Sequence, residues 1–397
     1  MKNHLWSLVV LGLLCMSGPT GSVAFARAGT PASGAVSFNV LHSFGTVVDA
    51  GGYPLGSLIL SGKNLYGMTL SGGAYNYGTI FEFNTKTGKY TVLYSFGTVT
   101  DDGEDPYGSL ILSGRTLYGM TEAGGAYNYG TIFEFNTKTG KYTVLYSFGT
   151  VTDDGEHPYG SLIPSGENLY GMTESGGAYN YGTIFEFNTK TGKYMLLHSF
   201  GGGDGENPYG SLILSGKNLY GMTEGGGANG YGTIFEFNTK TGQLTVLYSF
   251  KGGTEDAAGP YGSLILSGKN LYGMTADGGA YNYGTIFEFN TKTLQITLLH
   301  SFGTVTEDGE GPILGRLLLS GKNLYGMNRD GGTNGYGTIF GFNIKTGQYA
   351  VLHSFTDVTT DGAYPYGSLI LSRENLYGMA EGGGAENDGV IFSFSLK

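Results

Sequence analysis

The chain has 397 residues, a formal net charge of -11 and 74 glycines, but a single cysteine and a single tryptophan. An acidic chain is poorly suited to neutralise phosphates, so nucleic acid is excluded as an expected partner, and one thiol excludes a disulfide framework. Glycine at this level can signal a disordered chain, yet here it punctuates regular runs of Tyr, Phe, Ile and Thr, which points to a packed repeat.

Residues 1–28 read as a secretory leader. Lys2 stands before an apolar run over 5–16, and Ala24, Ala26 and Ala28 supply small residues at cleavage spacing. The run is too short to favour a membrane-spanning helix, so no stable span is expected after removal and the mature chain is expected outside the cell or at its surface. Loss of Lys2 and Arg27 takes the net charge from -11 to -13, and Cys15 and Trp6 leave with the same segment.

The strand that follows, 36–44, has no blade of its own; its Leu41-His42-Ser43-Phe44 matches Leu145-Tyr146-Ser147-Phe148 at the end of a later unit. From there to the last residue the chain repeats itself. The signature Leu-Tyr-Gly-Met begins at Leu65, Leu117, Leu169, Leu219, Leu271, Leu324 and Leu376, giving seven copies spaced by 50 to 53 residues. In the copy 106–148 four short runs, 108–112, 116–121, 130–136 and 141–148, are rich in β-branched and aromatic residues and separated by Gly- and Asn-bearing turns. Each reads as a strand of an antiparallel meander. The runs lack a polar-apolar alternation, as expected for sheets covered on both faces.

The final copy stops after three strands, and the surplus strand at the start supplies the fourth. A linear array has no use for such complementarity, whereas ring closure removes free sheet edges at the seam. The expectation is an all-β, seven-bladed β-propeller over 29–397, with blades near 54–96, 106–148, 158–200, 208–250, 260–302, 312–355 and 365–397 plus 36–44.

The succession Leu-Tyr-Gly-Met-Thr, Gly-Gly-Ala-x-Gly-Tyr-Gly-Thr-Ile-Phe, Phe-Asn-x-x-Thr-Gly and Leu-x-Ser-Phe resembles the bacterial GloVer (Gloeo/Verruco) tandem repeat of choice-of-anchor proteins. The resemblance covers practically the whole mature chain and implies propeller-like repeats and export, without naming a ligand. The paired glycines are also similar to kelch blades, whose usual tryptophan is missing here.

A meander puts successive turns on opposite faces. One face should collect the Ser-Gly-Lys-Asn and Asn-Thr-Lys-Thr-Gly turns; the other should collect the Gly-Gly-Ala-Tyr-Asn loops and the acidic connections between blades. On this acidic face Tyr75, Tyr127, Tyr179 and Tyr281 occupy a position held by Asn229, Asn334 and Glu386 in the other blades, and either loop packing or contact with a sugar or peptide would use them. The second loop tyrosine, such as Tyr77 or Tyr129, recurs in six blades and is expected to pack. The clusters Asp101, Asp102 and Glu104, and Asp153, Asp154 and Glu156, are candidate calcium ligands or solvated charge. His42, His198, His300 and His353 share a strand position with Tyr94, Tyr146 and Tyr248, which marks them as sheet residues. Blade 6 departs from the rest: Arg316 replaces the serine found at Ser57, Ser109, Ser161, Ser211, Ser263 and Ser368, after a one-residue insertion, and Arg329 and Asp330 follow. If first strands line the channel, Arg316 offers an anion site or a catalytic group there.

These features point to an exported, non-catalytic recognition or scaffold module, expected to be a monomer, that binds a glycan or a cell-surface protein. A propeller lyase or hydrolase acting on polysaccharide at the central channel is the alternative. Calcium is the one cofactor the sequence suggests.

Overall fold

The computed structural model describes residues 37–46, 50–356 and 359–397. The expected leader, 1–28, lies outside them. Seven four-stranded antiparallel sheets follow one another around a central axis, and the fold is the expected seven-bladed propeller. In blade 2 the strands are Ile111–Ser113, Thr116–Thr121, Thr131–Asn136 and Lys141–Ser147. The second and third pair residue for residue from Thr116 opposite Asn136 to Thr121 opposite Thr131, and a bulge in the fourth falls opposite Ile132 and Phe133. Among the described residues there is no helix long and apolar enough to cross a membrane.

The seam closes as the strand count requires. Phe38–Ser43 pairs antiparallel with Val390–Ser395, the third strand of blade 7, so the first described strand completes the last sheet. Phe38 stacks on His353 with ring centroids 4.1 Å apart, which ties this added strand to blade 6 as well.

One strand is shorter than expected. The first run, 108–112, enters the ladder only at Ile111. Gly108 and Ser109 instead lie at the axis, where Gly108 closely approaches Gly160 and the Ser109 amide donates to Ser161 Oγ of the next blade, while Leu110 is buried in the core. A second feature was not expected: Gly103–Glu104 of the acidic connection forms a two-residue ladder with Ala123–Gly124 of the following loop, and most blades repeat it.

The core lies between blades. Met120, Ile132 and Phe148 of blade 2 pack with Leu162, Leu169, Phe185 and Phe187 of blade 3, all buried. At the seam Phe44, Met379 and Ile391 meet Leu58, Leu65, Phe81 and Phe83 of blade 1 in the same arrangement. Each buried Phe contributes roughly 1.5–3 kcal/mol, and none of it is available to an isolated blade. Glycine inside the second strand makes this packing possible, because a Cβ on Gly119 would stand 2.5 Å from the Phe133 ring.

Candidate functional site

The axis is built from Gly-Ser pairs. A Cβ on Gly56, Gly108, Gly160, Gly210 or Gly262 would come within 2.1–2.3 Å of the carbonyl oxygen of the equivalent glycine in the next blade. Only glycine lets seven backbones converge this closely. The serine that follows then links blades: the Ser57 amide donates to Ser109 Oγ at 2.7 Å, and the chain of bonds continues from Ser109 to Ser161, Ser211 and Ser263 at 2.8 Å each. Blade 6 interrupts it. The Ser263 amide donates to the Gly315 carbonyl at 3.2 Å instead, while the Arg316 amide resumes the pattern by donating to Ser368 Oγ, and Ser368 donates to Ser57 Oγ.

This ring divides the channel into two unlike ends. Toward the acidic face stand Tyr107, Tyr159, Tyr209 and Tyr261, with successive ring centroids 4.6, 5.0 and 5.2 Å apart. Tyr107, Tyr159 and Tyr209 line a recess of about 20 Å³, room for about one water. Toward the turn face the channel widens into a cavity of about 350 Å³, lined by the serines, the isoleucines of the first strands and Arg316.

Around the closed end runs a rim of carboxylates. Glu174 accepts from Tyr209 Oη at 3.3 Å and from Asn207 Nδ2 at 2.8 Å, Glu224 accepts from Tyr261 Oη at 3.0 Å, and Glu122 pairs with His157 Nδ1 at 2.8 Å. Burial raises the Glu122 carboxyl above its ordinary value, and the imidazole offsets part of that. Burial likewise raises Glu381, and burial together with Glu224 pushes Tyr261 up to about 12. Arg329 takes the place of the glutamate in blade 6, pairing with Asp330 at 2.9 Å and lying 5.2 Å over the Tyr364 ring. The residue before each proline at this rim, including Tyr53, Asp105, His157 and Asn207, holds a left-handed φ of 54–58°. That conformation costs a non-glycine side chain on the order of 1 kcal/mol and recurs at sites built around ligands.

Farther out lie the loop tyrosines. Tyr75, Tyr127, Tyr179 and Tyr281 are 54–65% exposed. Each is followed by an asparagine in the left-handed region, φ 60–62°, whose Oδ1 accepts a loop amide, as Asn76 does from Gly72 at 3.0 Å. The loop is therefore fixed while the ring stays free. The second set packs: the Tyr77 ring lies against Gly97, where a Cβ would meet it at 2.5 Å.

The acidic connections have a structural use. Asp102 is buried; its carboxylate accepts from Tyr94 Oη at 2.7 Å and from the amides of Gly97, Thr98 and Gly103. Asp154 repeats this with Tyr146. His300 makes the equivalent bond to Asp308 at 2.9 Å, as His353 does to Asp361, which explains why Tyr and His alternate at that strand position. Asp101 and Asp153 point outward with left-handed φ, and Glu104 and Glu156 belong to the short ladders, so neither cluster converges on one point. Among the described residues no three acidic or histidine side chains are grouped to hold a metal ion.

The sequence singled out Arg316 and the exposed tyrosines, which the structure places on opposite sides of the disk. It missed the throat tyrosines and the rim glutamates. The repeated Pro-Tyr-Gly-Ser was the available signal.

The Gloeobacter/Verrucomicrobia repeat matches this chain over 27–230, 116–265, 151–313 and 218–397. The chain belongs to that family. No curated protein matches the sequence. Among solved structures the repeat protein is similar to an oligogalacturonate lyase from Vibrio parahaemolyticus, at 11% identity and TM-score 0.57 over 91% of this chain and 97% of that one. It is similar also to an oligogalacturonate lyase in complex with manganese, at 11% identity and TM-score 0.54 over 91% and 96%. The extracellular domain of a putative one-component system from B. thetaiotaomicron gives 12% identity and TM-score 0.57, over 91% of this chain but 40% of that chain. At these identities the likeness is one of fold.

Proposed function

We propose that this repeat protein is an exported recognition propeller that holds a neutral glycan on its acidic, tyrosine-rich face. The observation that carries the reading is the placement of Tyr75, Tyr127, Tyr179 and Tyr281, exposed rings at one position of four blades, each on a loop pinned by its own asparagine. A flat ring with a hydroxyl stacks on sugar faces, and a preformed loop lowers the entropy lost on binding. The rim carboxylates accept hydrogen bonds from sugar hydroxyls and repel acidic polymers, which favours a neutral ligand. Repetition around the ring supplies several similar contacts, so weak sites combine through avidity. Recognition is favoured over catalysis because the two channel recesses are lined by serine, aliphatic side chains and tyrosine, with Arg316 as their one charged side chain. Export rests on the leader-like residues 1–28.

The test is a glycan-array screen of the mature chain, followed by titration of a hit against single Tyr→Ala variants. Each is expected to weaken binding by roughly three- to tenfold, with losses accumulating. Polysaccharide turnover that persists in the quadruple tyrosine variant would replace this reading with the enzymatic one.

A further inference from the structure

We propose that the cavity on the turn face is a second binding site, independent of the tyrosine face, and that it takes a small organic carboxylate through Arg316. Its hydrogen-bonding character is one-sided. Each of Ser57, Ser109, Ser161, Ser211, Ser263 and Ser368 already accepts a backbone amide at Oγ, so the hydroxyl hydrogen is what it has to offer a guest, and the structure gives none of these hydrogens a protein acceptor. Arg316 adds the donors of a guanidinium, which has no acidic partner among the described residues. A cavity lined by donors and one lone cation is complementary to an anion.

The surroundings agree. Third-strand glutamates Glu82, Glu134, Glu186, Glu236 and Glu288 occur in blades 1 to 5, but blade 6 has Gly341 and blade 7 has Ser393 at that level. On the turn face Glu167 pairs with Lys190 and Glu374 with Lys397, so the remaining charge of the turns is that of lysine and arginine. This field draws anions toward the cavity mouth. The Arg316 side chain is exposed to the solvent in this cavity, so its donors are open to a guest, while the crowding of the surrounding ring lowers the guanidinium from its ordinary value.

Two features select a carboxylate over an inorganic oxyanion. One guanidinium balances one negative charge, and its planar fork matches a carboxylate in two parallel bonds. Ile59, Ile111, Ile163, Ile213 and Ile370 line the same cavity and would cover a carbon stem. At about 350 Å³ the space suits a guest of a few to a dozen heavy atoms.

Calorimetric titration of the mature chain with butyrate, butyramide and sulfate tests this. Butyrate should bind at millimolar concentrations, with butyramide and sulfate weaker. Arg316→Ser, which restores the residue the other blades carry and so should fold, is expected to weaken butyrate by roughly ten- to hundredfold, and Arg316→Lys by less. The quadruple Tyr→Ala variant should bind butyrate as the parent does. No butyrate binding, equal binding of butyramide, tighter binding of sulfate, or unchanged binding in Arg316→Ser would each overturn the proposal.

Discussion

Blades 3 and 6 share one plan and differ where that plan meets the axis and the acidic rim. Blade 3 carries Gly160-Ser161 at the axis, Glu174 at the rim, and a buried Thr173–Thr183 hydroxyl pair 2.7 Å apart beneath its loop. Blade 6 carries Leu314-Gly315-Arg316, Arg329, and Asn328 opposite Thr338. Asn328 is fully buried, and neither its amide nitrogen nor its oxygen finds a protein partner; Thr338 Oγ1 is also left without one. Buried amide and hydroxyl groups in this state cost free energy that the threonine pairs avoid. One blade thus combines a looser joint with two new cations, while the positions that fill the inter-blade core, Leu324, Ile339 and Phe340, keep their identity. The apolar core positions are kept, and the departures fall at the axis, at the rim and at one buried polar pair.

The largest expected effect tests the joint. A Cβ on Gly160 would stand 2.3 Å from the Gly210 carbonyl oxygen, whereas one on Gly315 would stand 2.8 Å from that of Gly367. Gly160→Ala should therefore cost about 3 kcal/mol or more and Gly315→Ala about 1 kcal/mol, read from urea unfolding of the mature chain. Equal costs would show that blade 6 is as tightly seated as blade 3. Next comes the polar pair. Asn328→Thr rebuilds the hydroxyl bond of the other blades and should stabilise by about 2 kcal/mol, and Thr173→Asn in blade 3 should lose a similar amount. Stability unchanged in both would mean that the asparagine is satisfied in solution.

Much of this contrast was legible beforehand, for a physical reason. The 50–53 residue period and the surplus strand 36–44 announce closure because backbone pairing leaves a count that must balance. Arg316 stood out because six serines share its position. What stayed hidden depends on contacts that sequence spacing does not encode. Asp102 reads as a calcium ligand or as solvated charge until Tyr94, eight residues earlier, is seen to bond it together with three amides. Tyr107 and its equivalents carry no signal of their stacking in sequence spacing, because only convergence on an axis brings them within stacking distance. The short ladder at Gly103–Glu104 has no apolar signature at all.

The third prediction carries the comparison to the seam, with an effect on the order of 1 kcal/mol after allowing for partial exposure. His42 holds the strand position of His300, but burial lowers its pKa to about 4, and its Nε2 has no partner among the described residues. Between pH 6.5 and 4 the unfolded chain takes up a proton that the folded His42 resists, so the unfolded state binds more protons and stability falls as pH drops through this window. Asp308 behaves otherwise. Burial would raise it, but the His300 imidazole and the Gly303 and Gly309 amides, which hydrogen-bond its carboxylate, outweigh that and lower it below 3.8, so its contribution is intact above that value and is lost only at lower pH. His42→Tyr, which copies Tyr94, should flatten the melting temperature between pH 6.5 and 4; an unchanged slope would assign the dependence to another group.

The smallest stability effect belongs to the exposed tyrosines, and that makes them a clean probe. Tyr281 is 59% exposed on a loop held by Asn282, so Tyr281→Ala should change stability by no more than about 0.5 kcal/mol. Any loss of glycan binding would then report contact and not unfolding. Blade 6 allows the converse experiment, because it has Asn334-Gly335 where blade 5 has Tyr281-Asn282. Gly335 already holds a left-handed φ of 81°, close to the 60° of Asn282, so the double substitution Asn334→Tyr and Gly335→Asn should be accepted without strain. If the tyrosine face is the binding surface, adding a fifth ring should tighten multivalent glycan binding by a few fold while leaving the melting temperature in place. Binding indifferent to both the removal and the addition would move the ligand away from this face, and the repeated tyrosines would stand as solvent-facing ornaments of duplication.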